Sequence, residues 1–176
     1  MSSKIEALEV SPTTLEGVLL IKPPTVFEDF RGSYIELYNE RLYRDAGIEV
    51  AFVQDDASMS KRSVLRGIHG DRTTWKLVSC LLGELYLVVV DCREESPRFG
   101  RWEAFTLSER NRLQVLVPPR FGVAHLVLSD RAVFHYKQST YYDRAGQFTY
   151  LWNNPQFNIQ WPVADPILSE RDQGRS

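Results

Sequence analysis

Cysteine is scarce in this chain of 176 residues: Cys80 and Cys92 are the only two, and they stand in no Cys-x-x-Cys or zinc-type spacing. Both read as plain buried thiols. No uncharged apolar run approaches membrane-spanning length. The opening MSSKIEALEVSPTTLEG mixes charged and polar residues where a secretory leader carries an apolar core. A cytoplasmic location is expected, with no membrane partner. Neither sign of charge dominates, since 21 Lys and Arg oppose 23 Asp and Glu for a net charge of −2. That balance gives no broad field to draw the protein onto nucleic acid, so an anionic ligand has to be met by local arginines and lysines. The motifs GxGxxG, GxxxxGK and GxSxG are missing as well, which removes a dinucleotide fingerprint, a phosphate loop and a nucleophile elbow.

What is present is a 43% hydrophobic composition, enough for one domain of this length to bury a sizeable core. The dominant pattern is short segments rich in Val, Leu, Tyr and Phe, cut at close intervals by Gly, Pro, Asp and Ser. Strands are predicted over 17–21, 32–37, 52–58, 77–82, 84–91, 101–107, 112–117, 125–128, 132–137 and 148–152. The clearest hairpin is KLVSCLLGELYLVVVDCR, with Gly83 at its turn. Only 39–46 reads as a helix, ending at Gly47. With no repeat and no linker, the chain is expected to be a single all-β domain from 1 to 176. Its strands must close on themselves as a jelly-roll barrel, because open edges invite aggregation.

Three histidines, at 69, 125 and 135, bound the choice of a general base. His69 lies in VLRGIHGDRTTWKLV among Arg66, Asp71, Arg72 and Lys76; it is either a base or a strand-end histidine in a solvated turn. In RAVFHYKQSTYYD, strand parity puts Ala132, Phe134 and Tyr136 on the more apolar face. Tyr136 is therefore expected inside the barrel and His135 outside. A buried tyrosine needs a partner, and a backbone carbonyl would serve as well as a substrate. His125 reads as a satisfied core histidine. Barrels of this kind often hold iron, manganese or zinc through three histidines and a carboxylate, usually including a His-x-His pair. The chain has no such pair, and neither metal nor cofactor is expected.

Taken in order, FEDFRGSYIE, FVQDDASMSKRSVLRGIH, KLVSCLLGELYLVVVDCREESPRFG, YKQSTYY, LWNNP, IQWP and ILSERD resemble the blocks of the dTDP-4-dehydrorhamnose 3,5-epimerase family. The resemblance runs nearly end to end and implies a cupin-type double-stranded β-helix. It also implies an isomerase acting on a nucleotide-linked 4-keto-6-deoxysugar and a homodimer formed by strand exchange near the amino terminus. Carried over residue by residue, it makes His69 the base, Asp172 the carboxylate that fixes its tautomer, and Tyr136 the acid on the opposite face. Lys76 and Arg66 fall beside the enolate oxygen. Arg31 matches a phosphate-binding arginine, Glu36 and Gln54 match ligand positions, and Tyr142 either stacks near the base or is an exposed strand-end tyrosine.

Some residues depart from the pattern. His69-Gly70-Asp71 replaces His-Tyr-Gln, Asp56 replaces Asn and Asn154 replaces Asp. The stretches HGDRTTWKLVSC, PPRFGVAH and QFTYLWNN look more like a branch acting on GDP-4-keto-6-deoxyheptoses, so both GDP and dTDP stand as candidate carriers. A 3,4-ketoisomerase and a non-catalytic sugar-nucleotide-binding barrel are the competing readings.

Overall fold

A computed structural model describes residues 8–23 and 26–175. In chain order the strands are β1 Glu9–Pro12, β2 Leu19–Lys22, β3 Val26–Asp29, β4 Gly32–Ile35, β5 Gln54–Lys61, β6 Leu65–Gly70, β7 Lys76–Leu82, β8 Glu84–Asp91, β9 Trp102–Ser108, β10 Gln114–Val117, β11 Phe121–Val127, β12 Arg131–Gln138 and β13 Phe148–Thr149. One helix, α1, spans Glu40–Asp45, and a 3₁₀ turn covers Arg171–Gln173. Two antiparallel sheets, β1-β2-β10-β7-β12-β5 and β13-β6-β11-β8-β9, lie face to face, and β3 and β4 form a separate hairpin.

The barrel core lies between the sheets. Val78 and Cys80 of β7, Val115 and Val117 of β10, and Ala132 and Phe134 of β12 meet Leu85, Leu87 and Val89 of β8, Phe105 and Leu107 of β9, and Phe121 and Val123 of β11. Each large apolar side chain removed from water in this way contributes about 1.5–3 kcal/mol. The outer face of the five-stranded sheet is apolar too: Ile68, Val88, Val90 and Ala124 are covered by Phe148, Tyr150, Phe157 and Trp161 of the C-terminal segment. Burial on both faces explains why ELYLVVVD reads as a continuous apolar run rather than an alternating one. On the outside of the six-stranded sheet, Tyr43 of α1 and Ile48 cover Ile21, Leu77 and Leu116.

The predicted Gly83 hairpin does not form: β7 pairs with β10 and β12 while β8 pairs with β11 and β9, so Gly83 turns the chain from one sheet into the other. Gly83 has φ +75°, and a Cβ there would fall 2.2 Å from the Arg131 carbonyl oxygen, so the turn admits no side chain. Helix α1 is capped by Asn39, whose side chain accepts from the Leu42 N–H.

The strand readings need correction in several places. β1, β3 and β6 were not predicted, Gly17 and Val18 lie ahead of β2, and β13 is only two residues long. β11 starts at Phe121 rather than 125, the expectation having stopped short of Gly122. β6 hides for a specific reason. Val123 pairs with His69 and His125 with Arg66, so two residues of β6, Gly67 and Ile68, stand opposite Ala124 alone. This bulge breaks the alternation by which strands are recognised.

Candidate active site

The bulge builds one wall of the site. In a regular strand Arg66 and His69, three residues apart, would point to opposite faces. Here both line one cavity of about 400 Å³, while Ile68 turns outward into the second apolar cluster. Only glycine serves at position 67: its φ is +122°, and a Cβ would fall 2.5 Å from both the Ala124 Cβ and the Val123 carbonyl oxygen. The opposite wall obeys strict alternation. Gln54, Asp56 and Ser58 of β5 and Phe134 and Tyr136 of β12 face the same cavity, with Tyr136 paired to Asp56 and Phe134 to Ser58. Lys76 enters from β7, Val123 and His125 from β11, and Tyr142, Gln147 and Arg171 close the mouth.

His69 Nε2 lies 2.7 Å from Asp172 Oδ1. Asp172 is buried, its side chain 3% exposed, so it is no solvated tail charge. Burial opposes its ionisation, yet hydrogen bonds from His69, Ser169 and the Gly67 backbone hold the carboxyl below its ordinary pKa. An ionised carboxylate can only accept, so Nε2 carries the proton and the free lone pair is on Nδ1. Asp172 reaches this place because Ile167 bridges Val64 in parallel and exchanges backbone hydrogen bonds with Ser63 and Leu65, running the C-terminal segment alongside β6.

Tyr136 points inward, as parity predicted. Burial, followed by the Asp56 carboxylate, pushes its phenol up to about 12, so the hydroxyl keeps its proton at neutral pH. His135 faces the other side of the sheet but is not solvated: its Nδ1 lies 3.0 Å from Ser79 Oγ and its side chain is 14% exposed. Lys76, 14% exposed, has its pKa lowered chiefly by burial. His125 is buried and stacks on Phe134, ring centroids 3.9 Å apart. Burial, then the charges of Arg66 and His69, push its pKa down to about 3. Its Nε2 has no hydrogen-bond partner among the described residues, so it is not the satisfied core histidine expected. Both cysteines are buried, with thiols pushed up by burial to about 11 for Cys80 and about 12 for Cys92. Among the described residues no three His, Cys, Asp or Glu side chains gather as a metal set.

Of the nine residues named from sequence, His69, Lys76, Tyr136, Gln54, Arg66 and Tyr142 line the cavity and Asp172 stands directly behind His69. Arg31 and Glu36 do not line it. Arg31 sits at the β3–β4 turn, 77% exposed and ion-paired with Asp29, while Glu36 accepts from Asn39. Sequence reasoning missed Asp56, Ser58, Gln147 and Arg171. Parity from Gln54 along β5 was enough to find the first two.

The matching family model, dTDP-4-dehydrorhamnose 3,5-epimerase, covers residues 12–176. This chain belongs to that family. It is 41% identical over 174 residues to the dTDP-4-dehydrorhamnose 3,5-epimerase of Pseudomonas aeruginosa, covering 96% of both chains. Among solved structures, dTDP-6-deoxy-D-glucose-3,5-epimerase from Legionella pneumophila, in complex with dTDP-4-keto-L-rhamnose, superposes with a TM-score of 0.89 at 36% identity, over 95% of this chain and 90% of that one. A 3′-monoepimerase from Streptomyces bikiniensis in complex with dTDP-quinovose gives 0.86 at 32% identity, over 93% and 84%. Membership places the protein among the carbohydrate epimerases and accounts for the cupin-like jelly roll. No helix among the described residues is long and apolar enough to cross a membrane.

Proposed function

We propose that this epimerase inverts C3 and C5 of a dTDP-linked 4-keto-6-deoxysugar, in the biosynthesis of deoxysugars for cell-surface polysaccharide. The observation that carries the reading is the pair of walls: a His69–Asp172 dyad on one sheet and a protonated Tyr136 on the other, lining one cavity. A C4 ketone makes the neighbouring C–H bonds acidic by spreading the carbanion onto oxygen, but imidazole alone is far too weak a base for the step. Lys76 and Arg66 stabilise the enolate oxygen, a contribution of about 3–4 kcal/mol for a well-placed donor. His69 Nδ1 takes the proton, and Asp172 steadies the imidazolium. Tyr136 returns a proton from the opposite side, which is what inversion requires.

The relatives support dTDP as the carrier rather than GDP, since the two solved relatives hold dTDP-sugars. A second hollow of about 320 Å³ adjoins the cavity through Tyr142 and Gln147 and is bounded by Arg72 and Tyr141, leaving space for the nucleotide. The monoepimerase relative supports a narrower reading in which one centre alone is inverted. The protein acts in the cytoplasm as a homodimer in which the β3–β4 hairpin is exchanged. The exposed Phe30 and Tyr34 on that hairpin support this, and so does Arg31, which has phosphate-binding chemistry but lies outside its own chain's cavity.

The test is solvent exchange. With dTDP-4-keto-6-deoxyglucose in D₂O, wild type washes deuterium into C3 and C5 and a GDP-linked analogue reacts more slowly. NMR of the product separates epimers from a 3,4-ketoisomer. Binding without exchange at either carbon overturns the assignment.

A further inference from the structure

The motif His69-Gly70-Asp71 leaves Asp71 without a part in this chemistry, yet Asp71 is buried against the cavity wall, its side chain 10% exposed. Its two oxygens do different things. Oδ1 accepts from the backbone N–H groups of Thr73 and Thr74, at 2.9 and 2.7 Å, and so shapes the turn into β7. Oδ2 reaches two residues that line the cavity, 3.1 Å from Gln147 Nε2 and 3.8 Å from Lys76 Nζ. At 3.8 Å the Lys76 ammonium is paired but not hydrogen-bonded, and among the described residues it makes no hydrogen bond at all. It is anchored electrically while its donors remain free for a ligand.

Gly70 makes the arrangement possible. A Cβ at 70 would fall 2.4 Å from both Phe148 Cζ and the Phe121 carbonyl oxygen, so the Phe148 ring occupies the space a side chain would need. Phe148 pairs with Gly70 across β13 and β6, which brings the adjacent Gln147 to Asp71.

We infer that Asp71 is a positioning residue for Lys76, its Oδ2 fixing both the place and the positive charge of the ammonium that the enolate oxygen meets. The inference rests on the role given to Lys76 above. Charge balance around the cavity makes it consequential. Lys76 shares the site with cationic Arg66 and Arg171 and with His69, which becomes positive during the reaction. The carboxylates on the other side are Asp56, two strands away on β5, and Asp172, already committed to His69. Burial lowers the Lys76 pKa most, Asp71 opposes it by raising the pKa, and Arg171 adds to the lowering. Removing the Asp71 charge leaves a buried ammonium facing cations, and the lysine then sheds its proton at lower pH.

The experiment is an NMR titration of the Lys76 ε-carbon in the full-length protein, assigned by its disappearance in Lys76→Arg, together with the pH profile of kcat. In Asp71→Asn, which keeps an oxygen for the turn, the Lys76 midpoint falls by about one pH unit or more, a tenfold change in its proton affinity. The alkaline limb of kcat moves by the same amount, and activity near pH 6 returns toward wild type. An unmoved midpoint, or a loss equal at every pH, overturns the inference. Asp71→Ser, which also keeps a turn acceptor and drops the charge, gives the same readout should the asparagine variant not fold. Failure of wild type to exchange solvent deuterium sinks the epimerase reading and with it the kcat arm, whereas the midpoint still reports on the Asp71–Lys76 pair.

Discussion

His69 Nε2 and Asp172 Oδ1 stand 2.7 Å apart although 103 positions separate them in the chain. The contact fixes which imidazole nitrogen can act, since the one bonded to the carboxylate carries the hydrogen and the other keeps its lone pair. It also requires three remote conditions: the β6 bulge that turns His69 inward, the Gly67 N–H, and the Val64–Ile167 bridge that brings Asp172 alongside.

Asp172→Asn preserves the size of the side chain but not its charge. The expected result is a fall in kcat of about 10²–10⁴, the range lost when a positioned acid–base group is disabled, with little change in KM. His69→Ala removes deuterium wash-in at both carbons. Single-turnover exchange measurements check both, and wild-type exchange in His69→Ala would leave the dyad without a role.

Tyr136→Phe separates the two half-reactions. Proton abstraction by His69 persists, so deuterium still enters the substrate, while formation of inverted product drops by about 10²–10⁴. Comparing exchange with epimer yield in one NMR time course decides the matter.

Acid stability depends on His125. Its folded pKa of about 3 lies below the ordinary 6.5, so between those values the unfolded chain binds a proton that the folded chain refuses. Stability is therefore fully present above about pH 6.5 and is lost as pH falls, by roughly 4–5 kcal/mol at full extent. The lowered Asp172 pKa adds a loss of the same sign further down, as pH falls through the carboxylate range. Urea unfolding at a series of pH values shows a shallower decline in His125→Leu.

Gly67→Ala places a methyl group against Ala124 and the Val123 carbonyl and demands a φ that alanine rarely adopts. A destabilisation of about 2–4 kcal/mol is expected from overpacking and strain together. Activity falls further than stability accounts for, because the same bulge aims Arg66 and His69. Calorimetry alongside kcat at a temperature where the variant is folded separates the two effects.

Much of this was readable in the residues, and the misses share a cause. ELYLVVVD was legible as a continuous apolar run, and the period of two in RAVFHYKQ gave its strand and put Tyr136 and His135 on their correct sides. LRGIHG escaped because its bulge replaces alternation with a three-residue step, although a glycine between charged and apolar residues is the mark such bulges leave. His69 stood out as a candidate base by its charged neighbours, but its partner Asp172 and the role of Lys76 came through resemblance, since the backbone pairings that join β6 to the C-terminal segment have no local signature. Arg31 and Glu36 matched the family blocks, yet the fold of one chain keeps them away from the cavity. Asp71 was noted as a neighbour of His69, but which of its oxygens reaches Gln147 and Lys76 is set by a turn.

The backbone from Tyr150 to Arg175 contains no long strand and is fastened by side-chain anchors, among them the Trp161 Nε1–H to the Trp152 carbonyl and the parallel Val64–Ile167 bridge. Elements held this way open at a lower free energy than the sheets they cover. Warming or mild denaturant should peel this strap from an intact barrel and unhook the carboxylate, so that turnover ceases before the sheets melt.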